Sequence, residues 1–287
     1  MRIAIVGAGR VGTAMGVLLE RARHRIVAVS GRGATRDRAA SYLPEARFLD
    51  QADAARAGEL VLIGTPDDLV AETVASLAGA GAIAEGTYVA HVSGVLGLEV
   101  LEPVRALGGQ RLAIHPLQTI PDVGRGIDRI PGCSVAVAAD DEPGYLVAER
   151  IADDLGGEPF RLADAMRPLY HSAAVLASND LVVLSAIATA LLKEAGVPDP
   201  SHALGVLQRA TLDNLAEMGP EKALTGPVVR GDAGTVERNL TALAAHAPDA
   251  VAPYTALARS ALDLAVRAGR LDPHGRDAVD DVLARWS

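Results

Sequence analysis

Cysteine is nearly absent from this 287-residue chain, with Cys133 the only one. A lone thiol leaves no partner for an internal disulfide and no Cys-x-x-Cys pair for a metal or redox couple, so a reducing cytoplasm is the expected compartment. Lysine is almost as scarce, occurring only at Lys193 and Lys222, which makes the set of candidate catalytic lysines very short. Acidic residues outnumber basic ones 36 to 27, and the formal net charge of -9 speaks against nucleic acid as a partner, because its phosphates select a basic face. Long apolar runs are missing too, with the exception of Ala173 to Leu192. Ser178, Asn179, Asp180 and Ser185 interrupt that run, so a helix buried between subunits is expected rather than a membrane span. The apolar run at the N-terminus is only a few residues long and excludes a signal peptide. A hydrophobic share of 49% argues against disorder, and the length suits about two domains, each with its own core.

What is present is organised around the first dozen residues. Arg2 to Val6 form a β-branched run of the kind a central parallel strand needs, and it leads directly into Gly7-x-Gly9-x-x-Gly12. Gly7 suits a tight turn, Gly9 lets the backbone close on a pyrophosphate, and Gly12 lets a helix beginning near Arg10 and Val11 pack on the strand. That helix, running to Arg23, turns Val11, Met15, Leu18 and Leu19 to the sheet and its first N–H groups to an anion. Arg25 to Val29 follow as a second strand, so the fingerprint sits in the context that gives it meaning: a dinucleotide site. An acidic residue about 20 positions past the fingerprint would bond the ribose hydroxyls of NAD. Arg32 stands there instead, with Ser30, Thr35 and Arg36 beside it, a set that favours the 2′-phosphate of NADP(H). The bland alternative is a solvated arginine loop.

Further along, Asp50 to Arg56 read as a short helix and Glu59 to Ile63 as a strand ending in Gly64-Thr65-Pro66, which places Thr65 and Pro66 along the adenosine side of the crevice. Asp67 and Asp68 are expected to cap the next helix. Thr87 to Val92 and Arg111 to His115 are strands ending in His91-Val92-Ser93-Gly94 and His115-Pro116-Leu117-Gln118-Thr119, both pointing to where a nicotinamide would lie. Gly132 to Ala138, a helix from Glu142 to Leu155 and a last strand Glu158 to Arg161 complete the alternation. The expected fold is therefore α/β: a doubly wound, mostly parallel Rossmann sheet over residues 1–162, followed by a smaller all-α domain over 163–287. The helices of the second part are read as Asp164 to Ala195, Ser201 to Met218, Gly234 to Ala245 and Pro248 to Ala268.

The first of these helices carries Tyr170-His171-Ser172 and Ser178-Asn179. His171, Val175 and Asn179 are spaced four apart, so one face would present His171 and Asn179 about two turns from each other. A polar pair in an apolar helix needs partners, from substrate or from a neighbouring helix or water. Together with the glycine fingerprint, Val92-Ser93-Gly94, His115 to Thr119 and Ala223-Leu-Thr225-Gly-Pro-Val-Val-Arg230-Gly-Asp232, these residues carry a resemblance. The chain resembles the superfamily of 6-phosphogluconate, β-hydroxyacid and ketopantoate dehydrogenases and pyrroline-5-carboxylate reductase. More narrowly, it is similar nearly end to end to Rossmann-like proteins carrying the domain of unknown function numbered 2520 (DUF2520). The resemblance implies the fold and an NADP-type cofactor, and some members are linked to reduction of ketopantoate. In pyrroline-5-carboxylate reductase the corresponding inter-helix loop reaches a site shared between subunits, which implies the same for Thr225 and Arg230. Arg230 suits a substrate carboxylate as a bidentate pair. Asp232 is expected to cap the helix that follows.

One departure from the resemblance shapes the chemistry. The hydroxyacid dehydrogenases place a proton-donating lysine one turn before the helix asparagine, and this chain has Val175 there. The expected donor is then His115, whose ordinary imidazole titrates near neutrality, with His171 second. A histidine bonding loop backbone is the bland reading of His115, and a core histidine that of His91. Three imidazoles, His91, His115 and His171, would suit zinc, but nothing acidic is placed to orient them and no metal is expected. The expected function is an NADP(H)-dependent oxidoreductase, homodimeric through its helical domain, reducing a small carboxylate-bearing carbonyl such as ketopantoate. Its catalytic groups are His115, Asn179 and His171, and its substrate groups Ser93, Gln118, Ser172, Thr225 and Arg230. A cyclic imine is the runner-up substrate. A cofactor-sensing dimer without turnover is the rival from another class.

Overall fold

The computed structural model describes residues 1–286. The chain divides into two compact units, residues 1–178 and 179–287. The strands expected from the sequence end at Arg161, and the first unit continues past them to Ser178.

The first unit holds eight strands: β1 (Arg2–Val6), β2 (Arg25–Ser30), β3 (Arg47–Phe48), β4 (Leu60–Ile63), β5 (Tyr88–His91), β6 (Gln110–Pro116), β7 (Ser134–Ala139) and β8 (Glu158–Arg161). Between them run α1 (Arg10–Arg21), α2 (Thr35–Tyr42), α3 (Gln51–Ala57), α4 (Asp67–Gly79), α5 (Glu102–Arg105), α6 (Val123–Arg129) and α7 (Glu142–Asp154). The order across the sheet is β3-β2-β1-β4-β5-β6-β7-β8, parallel except where β7 runs antiparallel to β6. The central strands are buried on both faces, β4 at all four residues and β1 at all but Arg2, which is why they read as unbroken apolar runs rather than alternating ones. Helices α1, α6 and α7 cover one face through Met15, Leu19, Ile127 and Ile151, and α4 covers the other through Val70, Val74 and Leu77. Full burial of one such side chain stabilises by about 1.5–3 kcal/mol. The chain leaves β1 for β2 on one side and returns to β4 on the other. A crevice therefore opens between the carboxyl ends of β1 and β4, the place where such sheets hold ligands.

Aspartates cap α3, α6 and α7, where Asp50, Asp122 and Asp141 accept from the N–H of Asp53, Arg125 and Gly144. Asp67 and Asp68 do not cap α4 as expected: Pro66 occupies that position, and the two carboxylates lie in the first turn, where they face the positive end of the helix dipole.

From Asp164 the chain is helical. A 3-10 turn (Asp164–Met166) leads into α8 (Arg167–Ala174), a π turn (Val175–Asn179) and α9 (Asp180–Glu194), followed by α10 (Pro200–Met218), α11 (Pro220–Ala223), α12 (Ala233–His246), α13 (Val251–Arg267) and α14 (Pro273–Arg285). The π turn, which takes up one extra residue, falls between His171 and Asn179. Within the second unit Val236, Leu240, Ala258, Leu262, Val279 and Leu283 from α12, α13 and α14 form the core. Asp232 caps α12 by accepting from Thr235, as expected, and Gly231 turns the chain at φ +67°. Helices α9 and α10 are joined by Gln208 Nε2 donating to Ser185 Oγ at 2.6 Å, yet most of their apolar side chains are bare: Val182 is 69% exposed and Leu207 63%. Within the segment Asp164–Glu194 an 18-residue stretch has a mean hydropathy of 1.9, and none of its residues is fully buried.

Candidate functional site

The fingerprint glycines have three different reasons to be glycine. Gly7 sits at φ +82°, and a Cβ there would lie 2.7 Å from Thr65 Cγ2 and 2.8 Å from Thr65 N, so the β1 and β4 ends can meet only without it. A Cβ on Gly12 would stand 3.1 Å from Ile5 Cγ2, the close helix–strand packing expected. Gly9 has no such neighbour: its Cβ would find nothing nearer than Gly64 O at 3.6 Å. The protein leaves that space open, directly at the N-terminus of α1, which has no side-chain cap and no acidic residue in its first turn. A helix end without a cap offers its N–H groups to an anion.

A cleft of about 420 Å³ extends from there, lined among others by Gly7, Gly9, Gly31, Arg32, Thr35, Thr65 and Pro66. Ser30 Oγ and Thr65 Oγ1 are buried beside it with no hydrogen-bond partner among the described residues. Buried hydroxyls left unpaired at the rim of a glycine cradle fit a bound dinucleotide, whose hydroxyl and phosphate oxygens would satisfy them. Arg36 stacks on Phe48 with its guanidinium 4.2 Å from the ring centroid, which leaves Arg32 as the guanidinium lining the cleft. Val11 is partly buried against the core, and Arg10 Nη1 donates to Pro121 O at 3.0 Å, tying the fingerprint to the segment after β6.

The second cluster lies at the ends of β5 and β6 and on α8, all within the first unit. His91 is fully buried. Its Nδ1 accepts from Ser93 N at 3.3 Å, which fixes Nε2 as the donor to Gly97 O at 3.1 Å. Burial, with Arg167 nearby, pushes its pKa down to about 4. This is the core histidine expected from its place in the strand. Ser93 Oγ accepts from the N–H of Val95 and Leu96 at 3.3 and 3.2 Å, so its first role is to fold the turn, with its proton still free to donate.

Gly94 is the pivot of the cluster. A Cβ there would lie 2.8 Å from His115 Nε2 and 3.0 Å from His171 Nδ1, so the two imidazoles close on its bare Cα from two elements, β6 and α8. His115 Nδ1 lies 2.8 Å from the Tyr170 hydroxyl, with the rings edge to face. His115 is pushed down to about 4, by burial first and then by Arg167, His171 and His91. Its imidazole is therefore neutral at pH 7, which removes the imidazolium that the sequence suggested as acid. Burial pushes Tyr170 up to about 12, with Arg167 acting in the opposite sense.

Arg167 itself escaped the sequence reading. It is fully buried; Nε donates to Asp164 Oδ1 at 3.2 Å and Nη1 to Ser93 O at 3.3 Å, while Nη2 has no partner among the described residues. Asp164 spends its other oxygen on Leu98 N at 2.7 Å. Burial lowers the Arg167 pKa, opposed by Asp164, but a guanidinium remains charged. The signal was present as Asp164 three residues before Arg167 and Pro168 after it, opening an otherwise apolar helix.

Other expected residues lie elsewhere. Gln118 is exposed and uses both ends of its amide on backbone, donating to Arg129 O and accepting from Thr119 N. Ser172 is exposed and donates to Pro168 O at 2.8 Å. Asn179, Thr225 and Arg230 are exposed residues of the second unit. The loop leading to Thr225 is held by Arg270 Nη1, which donates to the carbonyls of Glu221 and Leu224, both at 2.7 Å.

Residues 1–116 match the family described as Rossmann-like domain, and residues 133–261 the domain of unknown function DUF2520. No curated protein matches the sequence. Among solved structures, the chain is similar to BF3122 of Bacteroides fragilis, named for an inferred NADP oxidoreductase activity, at 24% identity over 91% of this chain and 98% of that one with a TM-score of 0.76. Protein TM1727 of Thermotoga maritima is 23% identical over 92% and 99%, with a TM-score of 0.74. The 1-pyrroline-5-carboxylate reductase of Streptococcus pyogenes is 17% identical over 94% and 99%, with a TM-score of 0.61. At these identities the likeness is one of fold. The first match covers β1 to β6 and the second runs from β7 through β8 into α13, so this chain carries a Rossmann-like domain followed by a DUF2520 domain.

Proposed function

We propose that the protein is an NADP(H)-dependent oxidoreductase that reduces a small carboxylate-bearing carbonyl, a 2-oxo acid of the ketopantoate kind. The observation that carries this reading is the pairing of two features along one sheet edge: a glycine cradle with an uncapped helix end and unpaired buried hydroxyls, and a cluster of imidazoles at the ends of β5 and β6 and on α8. When bound, the nicotinamide supplies a hydride to the carbonyl carbon. Gly7, Gly9, Gly12 and the first N–H groups of α1 hold the pyrophosphate, with Thr65 and Pro66 along the adenosine. Ser30, Arg32 and Thr35 meet the 2′-phosphate. Ser93 and His115 bound the reacting end, where the neutral imidazole offers a hydrogen bond to the substrate oxygen. Arg230 and Asn179 are the substrate-side groups assigned on the family resemblance, for the carboxylate and the carbonyl oxygen. The bare apolar faces of α9 and α10, with Val182, Val183 and Leu207 more than half exposed, support a homodimer through the helical unit.

One observation favours a second reading. A neutral His115 is a weak acid, and an iminium needs less from an acid than a carbonyl does, so a cyclic imine, the substrate class of pyrroline-5-carboxylate reductase, is the alternative. The deciding experiment follows NADPH absorbance against a panel of 2-oxo acids and cyclic imines. Oxidation with an oxo acid supports the first reading, and oxidation with imines alone the second. Tight NADPH binding without oxidation of any panel member refutes both and leaves a cofactor sensor.

A further inference from the structure

We propose that Tyr170, acting through the uncharged imidazole of His115, supplies the proton that completes carbonyl reduction, and that Arg167 is the buried cation that sets the direction of this transfer. The proposal rests on the reductase reading above and concerns where its proton comes from.

The geometry is that of a two-ended relay. One ring nitrogen of His115, Nδ1, lies 2.8 Å from the Tyr170 hydroxyl; the other, Nε2, faces Gly94 and has no hydrogen-bond partner among the described residues. With the phenol donating to Nδ1, the neutral ring carries its own proton on Nε2, the nitrogen that lies against the bare Cα of Gly94. Tyr170 is held in place by more than this bond: Phe160 meets its ring edge at a centroid distance of 6.0 Å. Arg167 stands three residues before Tyr170 on α8, fully buried, with Nη2 unpaired.

The charges around the pair decide which member is the acid. His115 is faced by Arg167, His171 and His91, and burial with these neighbours leaves it neutral at physiological pH. Tyr170 feels Arg167 and Cys133, and Arg167 in turn feels Asp164 and Glu99. A cation at Arg167 thus disfavours imidazolium and favours phenolate, so the field on both members points the same way. At about 12 the phenol is protonated in the resting protein, yet it remains a stronger acid than an alcohol.

The step balances as follows. Reduction of the carbonyl carbon by the dihydronicotinamide leaves negative charge on the substrate oxygen. That oxygen forms its O–H bond with the Nε2 proton of His115 as the N–H bond breaks, while Nδ1 takes the Tyr170 proton. The product is an alcohol, a neutral imidazole with its proton now on Nδ1, and a phenolate beside Arg167. Water returns one proton to the pair.

Two measurements test this. Histidine 15N chemical shifts, read on the protein with NADPH bound and no turnover, should show His115 neutral between about pH 6 and 8, with the proton on Nε2. In Arg167→Met the His115 midpoint should move upward, and in Arg167→Lys, which keeps the charge, it should stay where it is. Tyr170→Phe keeps the ring contacts and removes the proton. It should bind NADPH as the wild type does and reduce 2-oxo acids about 100-fold to 10,000-fold more slowly, with the alkaline limb of the pH profile lost. The proposal is overturned if His115 titrates near its ordinary value, if its proton sits on Nδ1, or if Tyr170→Phe keeps the wild-type rate and profile. A wild type that oxidises no NADPH with any panel member refutes the reductase reading instead, and the chemical shifts still decide the state of the pair.

Discussion

Substituting Gly9 by alanine separates the needs of the fold from those of the ligand. The residue has φ -72° and ψ -162°, which alanine adopts without strain, and the added methyl would meet nothing closer than 3.6 Å. Losing glycine's unfolded-state freedom stabilises by about 0.4–1 kcal/mol. Alanine is a poorer N-cap by a similar amount, so the net change is within about 1 kcal/mol and the melting temperature within about 4 °C. Gly7→Ala behaves differently: a left-handed φ costs about 1–2 kcal/mol and the clash with the Thr65 backbone about 1–3 more. For the coenzyme the ranking is reversed. A methyl on Gly9 stands where the pyrophosphate would approach the helix end, and losing those charge-assisted bonds costs about 1.5–3 kcal/mol, or about 10- to 100-fold in Kd. Thermal unfolding and titration of NADPH fluorescence measure both quantities on the same samples. A Gly9→Ala protein that melts normally and binds NADPH as tightly as the wild type would refute the claim that this glycine is kept for a ligand.

Gly94→Ala pushes a methyl into His115 and His171, so oxo-acid reduction should fall about 100-fold while NADPH affinity holds and stability drops by about 1–3 kcal/mol. Arg32→Glu should weaken NADPH by about 10- to 100-fold and leave NADH nearly unchanged; equal losses for both would remove Arg32 from the 2′-phosphate. Val182→Glu and Leu207→Glu place charge on the bare faces of α9 and α10, and sedimentation should show a dimer reduced to monomer. A wild type that already sediments as a monomer contradicts the dimer.

The sheet was legible because its strands are short, apolar and bounded by glycine. β1 and β8 fall at the residues expected, and β4 and β6 within one residue at either end. Periodicity says that a strand exists but not which way it runs, so the antiparallel β7 was not visible. α14 was missed for a different reason: it is largely polar, and only Val279, Val282 and Leu283 reach the core. The cofactor cradle could be read because backbone conformation demands glycine at fixed intervals. The imidazole cluster could be read only in part, since His91, His115 and His171 declare themselves by type, while the groups that set their charge do not. Arg167 is one arginine among many in this sequence, and the Asp164 three residues before it marks a pair without saying that the guanidinium is fully buried.

The neutrality of these imidazoles should be visible in stability as well as in chemistry. An ordinary histidine titrates near 6.5, and His91, fully buried, is held at about 4. Because the folded value lies below the unfolded one, the unfolded chain binds the extra proton first. Stability is then complete above about pH 6.5 and lost as pH falls toward 4, by about 3 kcal/mol for His91 at the end of that range. His115 is depressed to a similar value and acts in the same direction. Carboxylates such as Asp140 and Asp154, which are shifted downward by their arginine and histidine partners, lose their contribution at lower pH, so the histidine window stands apart from theirs. Urea midpoints between pH 7.5 and 4.5 should therefore fall with a slope approaching two protons. In His91→Gln, whose amide can still donate to Gly97 O, the slope should approach one. If the two slopes agree, His91 is charged in the folded protein, the buried cation at Arg167 does not govern its neighbours, and the proton path through His115 loses its electrostatic basis.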